Sequence, residues 1–345
     1  MVRERIRPDR IPFPWRRLAI SMVAAAFVTS ACSGPAATPS TVLDATSRPS
    51  ISPTTAVDPS PTAAPAPVPG GRLAYGRFSP DGTHVFTSNT DGTGEQALLP
   101  SVAEGPRFSP DGRRLAVAAE SPQGLIFFGL VNPDGSGYMR FASPDPTLNL
   151  GCSGAWSPDA SRLVCEGWDD SNAARNGIYT VRASDGGGLT RVTTSAGGGR
   201  DVLGDYSPDG RQIVFLRDNL VDEEHNTLMV VNADGNDPRV LNDGKVGLAS
   251  RWSPDGKTIL TEANGSLLLV PVDGSEPSVI EIDADAPLTA TRGAWSPDGT
   301  WTVFSQVTST GQDTYIMRKD GTNLHQVTNT PGKDEEFGEW GVRAP

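Results

Sequence analysis

Tyr206-Ser207-Pro208-Asp209-Gly210-Arg211-Gln212-Ile213-Val214-Phe215 contains the unit that decides the fold. Proline presets φ for the first corner of a type I turn, aspartate suits the second, and glycine tolerates the positive φ that follows. An aromatic residue before the turn and an apolar run after it give two strands joined by a bulged turn. The unit recurs at Phe78–Gly82, Phe108–Gly112, Trp156–Ala160, Trp252–Gly256 and Trp295–Gly299. A second marker recurs independently at Asp91-Gly92, Asp134-Gly135, Asp185-Gly186, Asp234-Gly235, Asp273-Gly274 and Asp320-Gly321. Each of these ends one apolar run, such as Ile178-Tyr179-Thr180-Val181, and precedes another. One repeat therefore reads strand, Ser-Pro-Asp-Gly turn, strand, loop, strand, Asp-Gly turn, strand. Four antiparallel strands in about 40 to 50 residues make one propeller blade.

Taken at serine, the spacings are 30, 48, 50, 46 and 43 residues, and the first is too short for four strands. Leu73-Ala74-Tyr75 is expected to be a second strand, with Ser79–Gly82 turning into a third near Val85-Phe86. The missing innermost strand is expected from the other end of the chain. Trp340 stands 45 residues after Trp295, where the next blade's aromatic belongs. Residues 336–343 would then complete the blade begun at Gly71 and seal a six-bladed, all-β propeller. Pairing the ends covers edges that would otherwise be exposed. A partial seventh blade, or an open stack, is the alternative.

The aromatic-Ser-Pro-Asp-Gly turn, its following strand and the later Asp-Gly turn resemble the WD40-like (PD40) repeat of the TolB propeller family over residues 71–345. The resemblance implies a six-bladed propeller. TolB carries an α/β domain ahead of its propeller and works in the Tol–Pal envelope system. A different segment precedes the repeats here, so the resemblance does not carry Pal binding over.

Six arginines in residues 1–31 stand against Glu4 and Asp9, and an apolar run, Leu18–Val28, follows them. A basic start, a short apolar stretch and small residues describe a secretory signal peptide. Eleven apolar residues are too few to span a bilayer, which takes about twenty in a helix. Thr29-Ser30-Ala31-Cys32 resembles the lipobox of bacterial lipoproteins, which implies lipidation of Cys32. Arg16-Arg17 also resembles a twin-arginine signal, and the export route stays open between Sec and Tat. In residues 33–70, Pro, Ala, Ser and Thr fill 28 of 38 positions, with no aromatic residue. Such a stretch, expected with Cys32 to form a disordered tether over 32–70, cannot bury enough apolar surface to order itself. Extended, it reaches on the order of 100 Å. The whole arrangement resembles an envelope lipoprotein of a high-GC Gram-positive bacterium: a propeller anchored to the cell membrane on its extracytoplasmic face.

The 345 residues carry a net charge of −12 with 38 Gly, 30 Pro, three Cys and three His. The acidic balance argues against nucleic acid as a partner. Gly151-Cys152-Ser153-Gly154-Ala155 departs from a hydrolase nucleophile elbow at its last position. Ser296–Trp301 imitates a sialidase box but is two residues short. His84, His225 and His325 fall in different repeats without zinc-ligand spacing. The runs Asp169-Asp170, Asp222-Glu223-Glu224 and Asp334-Glu335-Glu336 lack calcium-loop spacing and are expected to be solvated loop charge. No cofactor is expected, although calcium in the central channel stays open.

The residues just before the inner-strand aromatics are Arg107, Ala155, Asp205, Arg251, Ala294 and Glu339. Those two before are small or compact (Pro106, Gly154, Gly204, Ser250, Gly293 and Gly338), as a crowded axis would require. Arg107, Asp205, Arg251 and Glu339 are therefore expected to ring one mouth of the channel. There they would bind a polar ligand or a partner's peptide, or else pair between neighbouring blades and hold the ring together. Cys152 and Cys165 flank the Pro158-Asp159 turn symmetrically, so a cross-strand disulfide is expected in an oxidising envelope. The expected function is a monomeric, non-catalytic binding module for an envelope protein or cell-wall ligand. The alternative is an extracytoplasmic hydrolase or lactonase using channel-mouth carboxylates.

Overall fold

The computed structural model describes residues 68–120, 126–152, 155–195, 199–218, 226–244, 246–247, 249–284 and 288–342. The leader, Cys32, most of the tether, His225 and Asp222-Glu223-Glu224 lie outside the described residues.

Strands β1 (Arg72–Ser79), β2 (Gly82–Asn89) and β3 (Gln96–Ala97) come first. Four free-standing antiparallel sheets follow. They are β4 (Glu104–Phe108) to β5 (Leu115–Glu120), β6 (Ile126–Val131) and β7 (Met139–Arg140); then β8 (Asn149–Gly151), β9 (Arg162–Trp168), β10 (Gly177–Arg182) and β11 (Thr190–Arg191). The third holds β12 (Arg200–Tyr206), β13 (Gln212–Asp218), β14 (Thr227–Asn232) and β15 (Arg239–Asp243). The fourth holds β16 (Arg251–Trp252), β17 (Thr258–Ala263), β18 (Ser266–Pro271) and β19 (Ser278–Val279). The chain ends with β20 (Thr289–Trp295), β21 (Trp301–Thr308), β22 (Gly311–Arg318), β23 (His325–Gln326) and β24 (Asp334–Gly341).

These last five strands join β1–β3 in one eight-stranded sheet, ordered β20-β21-β22-β24-β1-β2-β3, with β23 also on β22. Six separate blades were expected; four sheets stand alone and eight strands are hydrogen-bonded together. The cause is local. A turn at Thr330–Lys333 brings the first residue of β24 against β22, where Gln312 faces Asp334 in a single parallel pairing. The tail strand starts two residues earlier than expected and runs antiparallel to β1, with Leu73 opposite Trp340.

Five of the six motifs build the same turn. In the Tyr206 repeat, Ser207 Oγ donates to Asp209 Oδ1 at 2.6 Å, and Gln212 N donates to Ser207 Oγ at 2.9 Å. The aromatic then faces the residue seven positions on, as Tyr206 faces Ile213. The first motif differs: Phe78 faces Thr83 and Ser79 faces Gly82, leaving a two-residue turn. It joins β1 to β2, while the other five lead from an innermost strand to the next.

The core lies in wedges between sheets. Phe128, Leu150, Trp156 and Leu163 fill one, Val164, Tyr206, Ile213 and Phe215 another. Leu260, Trp295 and Phe304 fill a third. Both sides of β1 are wedged, by Tyr75, Trp301, Val303 and Trp340 and by Ala74, Phe108 and Leu115. Covered on both faces, the middle strands bury successive residues, as Ile213–Leu216 show.

Candidate functional site

Four innermost strands carry one extra residue each, placed just before the residue that precedes the aromatic. Val202 and Asp205 face Leu216 and Val214, so three steps on β12 meet two on β13. The same irregularity falls between Glu104 and Arg107, Thr291 and Ala294, and Glu336 and Glu339. A bulge bends its strand and re-aims the side chains beside it. Here it delivers Arg107, Asp205 and Glu339 to a common place.

The structure brings all four sequence-predicted charges together. Arg107 Nη1 donates to Glu339 Oε2 at 2.7 Å, and its Nη2 lies 3.8 Å from Asp205 Oδ1. Arg251 Nε lies 3.9 Å from Glu339 Oε2, and Trp252 N donates to Asp205 Oδ2 at 2.8 Å. Arg107 and Asp205 belong to sheets separated by the β8 sheet, where the equivalent residue is Ala155. Arg251 and Glu339 likewise reach past β20, whose residue is Ala294. These side chains form a plug of interlocked charge and not an open ring: their exposures are 5% for Arg107, 13% for Asp205, 11% for Arg251 and 17% for Glu339. Burial raises the Asp205 carboxyl above its ordinary value, opposed by Arg107 and Arg251. Burial and the nearby Arg107 charge lower Arg251 to about 10.

The small residues two positions before the aromatics have a different cause from the one expected. A Cβ on Gly204 would stand 2.4 Å from Val164 Cγ1, and one on Gly338 2.9 Å from Val303 Cγ2. A valine packed from another strand, not a crowded axis, demands glycine at these two positions.

A further charged layer escaped the sequence reading. Arg292, at φ 55° beside its bulge, pairs with Glu336, and its backbone N donates to the Glu262 carboxylate. Asp201 is wholly buried, held by Arg217 Nε at 2.8 Å and Thr193 Oγ1 at 2.6 Å. Glu335, also wholly buried, is held by Arg77 Nε at 2.8 Å and by Thr330 and Thr328. Asp169 is buried against Arg175 at 2.8 Å. Glu335 and Asp169 are therefore not the solvated loop charges expected of their runs. A threonine seven or eight residues before an acid, as in Thr193/Asp201 and Thr328/Glu335, is the signal that could have found two of these latches. Glu166 pairs with Arg200, whose guanidinium lies 4.7 Å from the Trp168 ring centre. Burial pushes Glu166 up to about 7 against the pull of Arg200.

Cys152 and Cys165 are joined by a disulfide with Cα atoms 4.0 Å apart. It lies between the pairs Gly151–Glu166 and Trp156–Leu163, where the β8–β9 ladder is interrupted. His84 contacts Asp81 at 3.2 Å, and His325 stacks on Trp301. Among the described residues, no group of three His, Cys, Asp or Glu side chains could hold a metal ion. No helix among them is long and apolar enough to cross a membrane.

Stacked antiparallel sheets with their cores in the wedges between them define a β-propeller. The TolB β-propeller domain family (PD40) matches residues 42–281, and the chain belongs to that family. TolB from Acinetobacter baumannii is 18% identical with a TM-score of 0.64, over 79% of this chain and 67% of that one. A putative TolB from Agrobacterium tumefaciens is 16% identical with a TM-score of 0.55, over 79% and 99%. A puromycin hydrolase is 15% identical with a TM-score of 0.51, over 75% of this chain and 45% of that one. At these identities the likeness is one of fold. No curated protein sequence matches the chain.

Proposed function

We propose that this chain is an envelope lipoprotein: exported by residues 1–31, anchored by lipid on Cys32, and tethered through residues 32–70. It displays a closed six-bladed propeller over residues 71–345 that binds a protein or cell-wall ligand without catalysis. The count of six follows if the eight-stranded sheet is divided at its single parallel pairing into β20–β23 and β24-β1-β2-β3. Closure is supported by contacts that run from sheet to sheet and return, with β24 packed against both β4 and β20.

The observation that carries the binding reading is the convergence of Arg107, Asp205, Arg251 and Glu339 from four different repeats. Both carboxylates already face guanidinium groups, which weighs against their use as catalytic acid and base in a hydrolase or lactonase. The test is crosslinking in cells with the full chain, followed by capture. Partners held by the native chain should be lost from the Arg107→Ala/Arg251→Ala variant, provided it is exported and folded. Retention of every partner removes the reading. Cys32→Ser should release the protein from the membrane fraction; continued membrane association removes the anchor.

A further inference from the structure

Asn-Gly occurs twice in the chain, at Asn176-Gly177 and at Asn264-Gly265, and the fold treats the two in opposite ways. In this dipeptide the glycine nitrogen can attack the asparagine side-chain carbonyl, because no Cβ shields the approach. The attack needs a side chain free to turn and a backbone nitrogen not committed to a hydrogen bond.

Asn176 is held. It is 6% exposed, its Oδ1 accepts from Asp169 N at 3.1 Å, and its Nδ2 donates to the Gly199 carbonyl at 3.4 Å. Gly177 already lies in β10, opposite Gly167. Asn264 is exposed at the tip of the two-residue turn between β17 and β18, which Ala263 and Ser266 close. Its φ is 51° and that of Gly265 is 77°, the left-handed pair for which Asn-Gly is favoured in such hairpins. Among the described residues, neither the Asn264 amide nor the Gly265 nitrogen has a hydrogen-bond partner.

The same turn is tied to the next sheet. The Gly265 carbonyl accepts from Ala290 N at 2.8 Å, and a Cβ on Gly265 would stand 3.0 Å from Thr289 Cγ2. Both contacts fall at the start of β20, whose bulge carries Arg292 to Glu336 on the tail strand.

We infer that Asn264 is a site of spontaneous modification whose conversion unties the β17–β18 hairpin from β20. The Gly265 nitrogen bonds to Asn264 Cγ and passes its proton through water to Nδ2; the Cγ–Nδ2 bond breaks, ammonia leaves, and a succinimide remains. Water then opens the ring at either carbonyl. One opening leaves an aspartate. The other leaves an isoaspartyl link, in which the main chain runs through the side chain and is one atom longer. A two-residue turn has no slack for that atom, so the Gly265 carbonyl is carried away from Ala290 N.

Peptide mapping by mass spectrometry, on the full chain aged at mildly alkaline pH, reads the conversion. It should run about thirtyfold faster at Asn264 than at Asn176, the factor that two ordinary hydrogen bonds supply. Isoaspartyl methyltransferase should label the Asn264 peptide, and Asn264→Gly, which keeps the left-handed turn, should remove the label. In the aged protein the Ala290 amide should exchange with deuterium severalfold faster than in fresh protein, and aged Asn264→Gly should show no such change. Conversion no faster at Asn264 than at Asn176 overturns the site. Conversion that leaves Ala290 exchange unchanged overturns the untying.

Discussion

Replacing Arg107 by alanine tests whether the axial charges are a buried, interlocked unit. The Arg107 side chain is 5% exposed, and its guanidinium faces Glu339 at 2.7 Å and Asp205 at 3.8 Å. Its removal strands two largely desolvated carboxylates. Breaking a buried ion pair by deleting one partner costs about 3–5 kcal/mol. Arg251, 3.9 Å from Glu339, still offsets part of that charge, so the low end applies, about 3 kcal/mol. With a urea dependence of about 3 kcal/mol per molar for a domain of this size, the unfolding midpoint should fall by about 1 M. Tryptophan fluorescence reads this, because Trp156, Trp252, Trp295 and Trp340 are all buried. Asp205 already sits above its ordinary pKa through burial, and losing Arg107 drives it higher. A carboxyl raised in the folded state contributes stability at low pH and loses it as pH rises. The penalty for Arg107→Ala should therefore shrink on acidification, when Asp205 takes up a proton. A loss below about 1 kcal/mol at neutral pH, the size of a solvated surface pair, would refute the plug.

Glu166, pushed up to about 7 by burial, binds its proton more readily folded than unfolded. Its contribution is full below the unfolded value of 4.5 and disappears as pH rises through about 7, so Glu166→Gln should flatten the stability–pH curve there by on the order of 3 kcal/mol. The disulfide joins residues 13 apart, so Cys152→Ala/Cys165→Ala should lower unfolding stability by about 3 kcal/mol, read by urea titration. Ala160 holds φ 58° where four sister turns have glycine at 67–71°. Relief of about 1–2 kcal/mol of left-handed strain, set against the greater unfolded freedom of glycine and one lost methyl contact, should leave Ala160→Gly more stable by about 0.5 kcal/mol in the same titration.

The turns were legible because each needs its own residues at its own corners: Ser207 to bind Asp209, Asp209 to bind the chain beyond, Gly210 to take positive φ. The tail strand was legible from Trp340 falling one repeat after Trp295. The bulges were not, since an extra residue on β12 is visible only when Val202 and Asp205 are counted against Leu216 and Val214. For the same reason the purpose of Gly204 was misread: its close neighbour is Val164, forty residues earlier in the chain and on another sheet. Position before the aromatic singled out Arg107, Asp205, Arg251 and Glu339, but their partners depend on the order of sheets in space. The first motif kept its letters and changed its turn, because the turn answers to the strands it joins as well as to its own residues.

The last strand concentrates these dependencies. β24 gives Glu335 to Arg77 on β1, Glu336 to Arg292 on β20 and Glu339 to Arg107 on β4. Each partner lies on a different strand, so the acidic residues of one eight-residue segment tie together both ends of the chain and the sheet that follows β3. Backbone pairing with β1 alone would hold the tail by its edge and leave its angle to the neighbouring sheets loosely set. Three carboxylates fixed by three arginines set that angle, and with it the position of Glu339 at the axis. The geometry of the charge cluster is then a consequence of how the tail docks: any change that loosens β24 from β1 or β20 moves Glu339 away from Arg107. Stability of the tail strand and the geometry of the charge cluster are thereby one physical property measured in two ways.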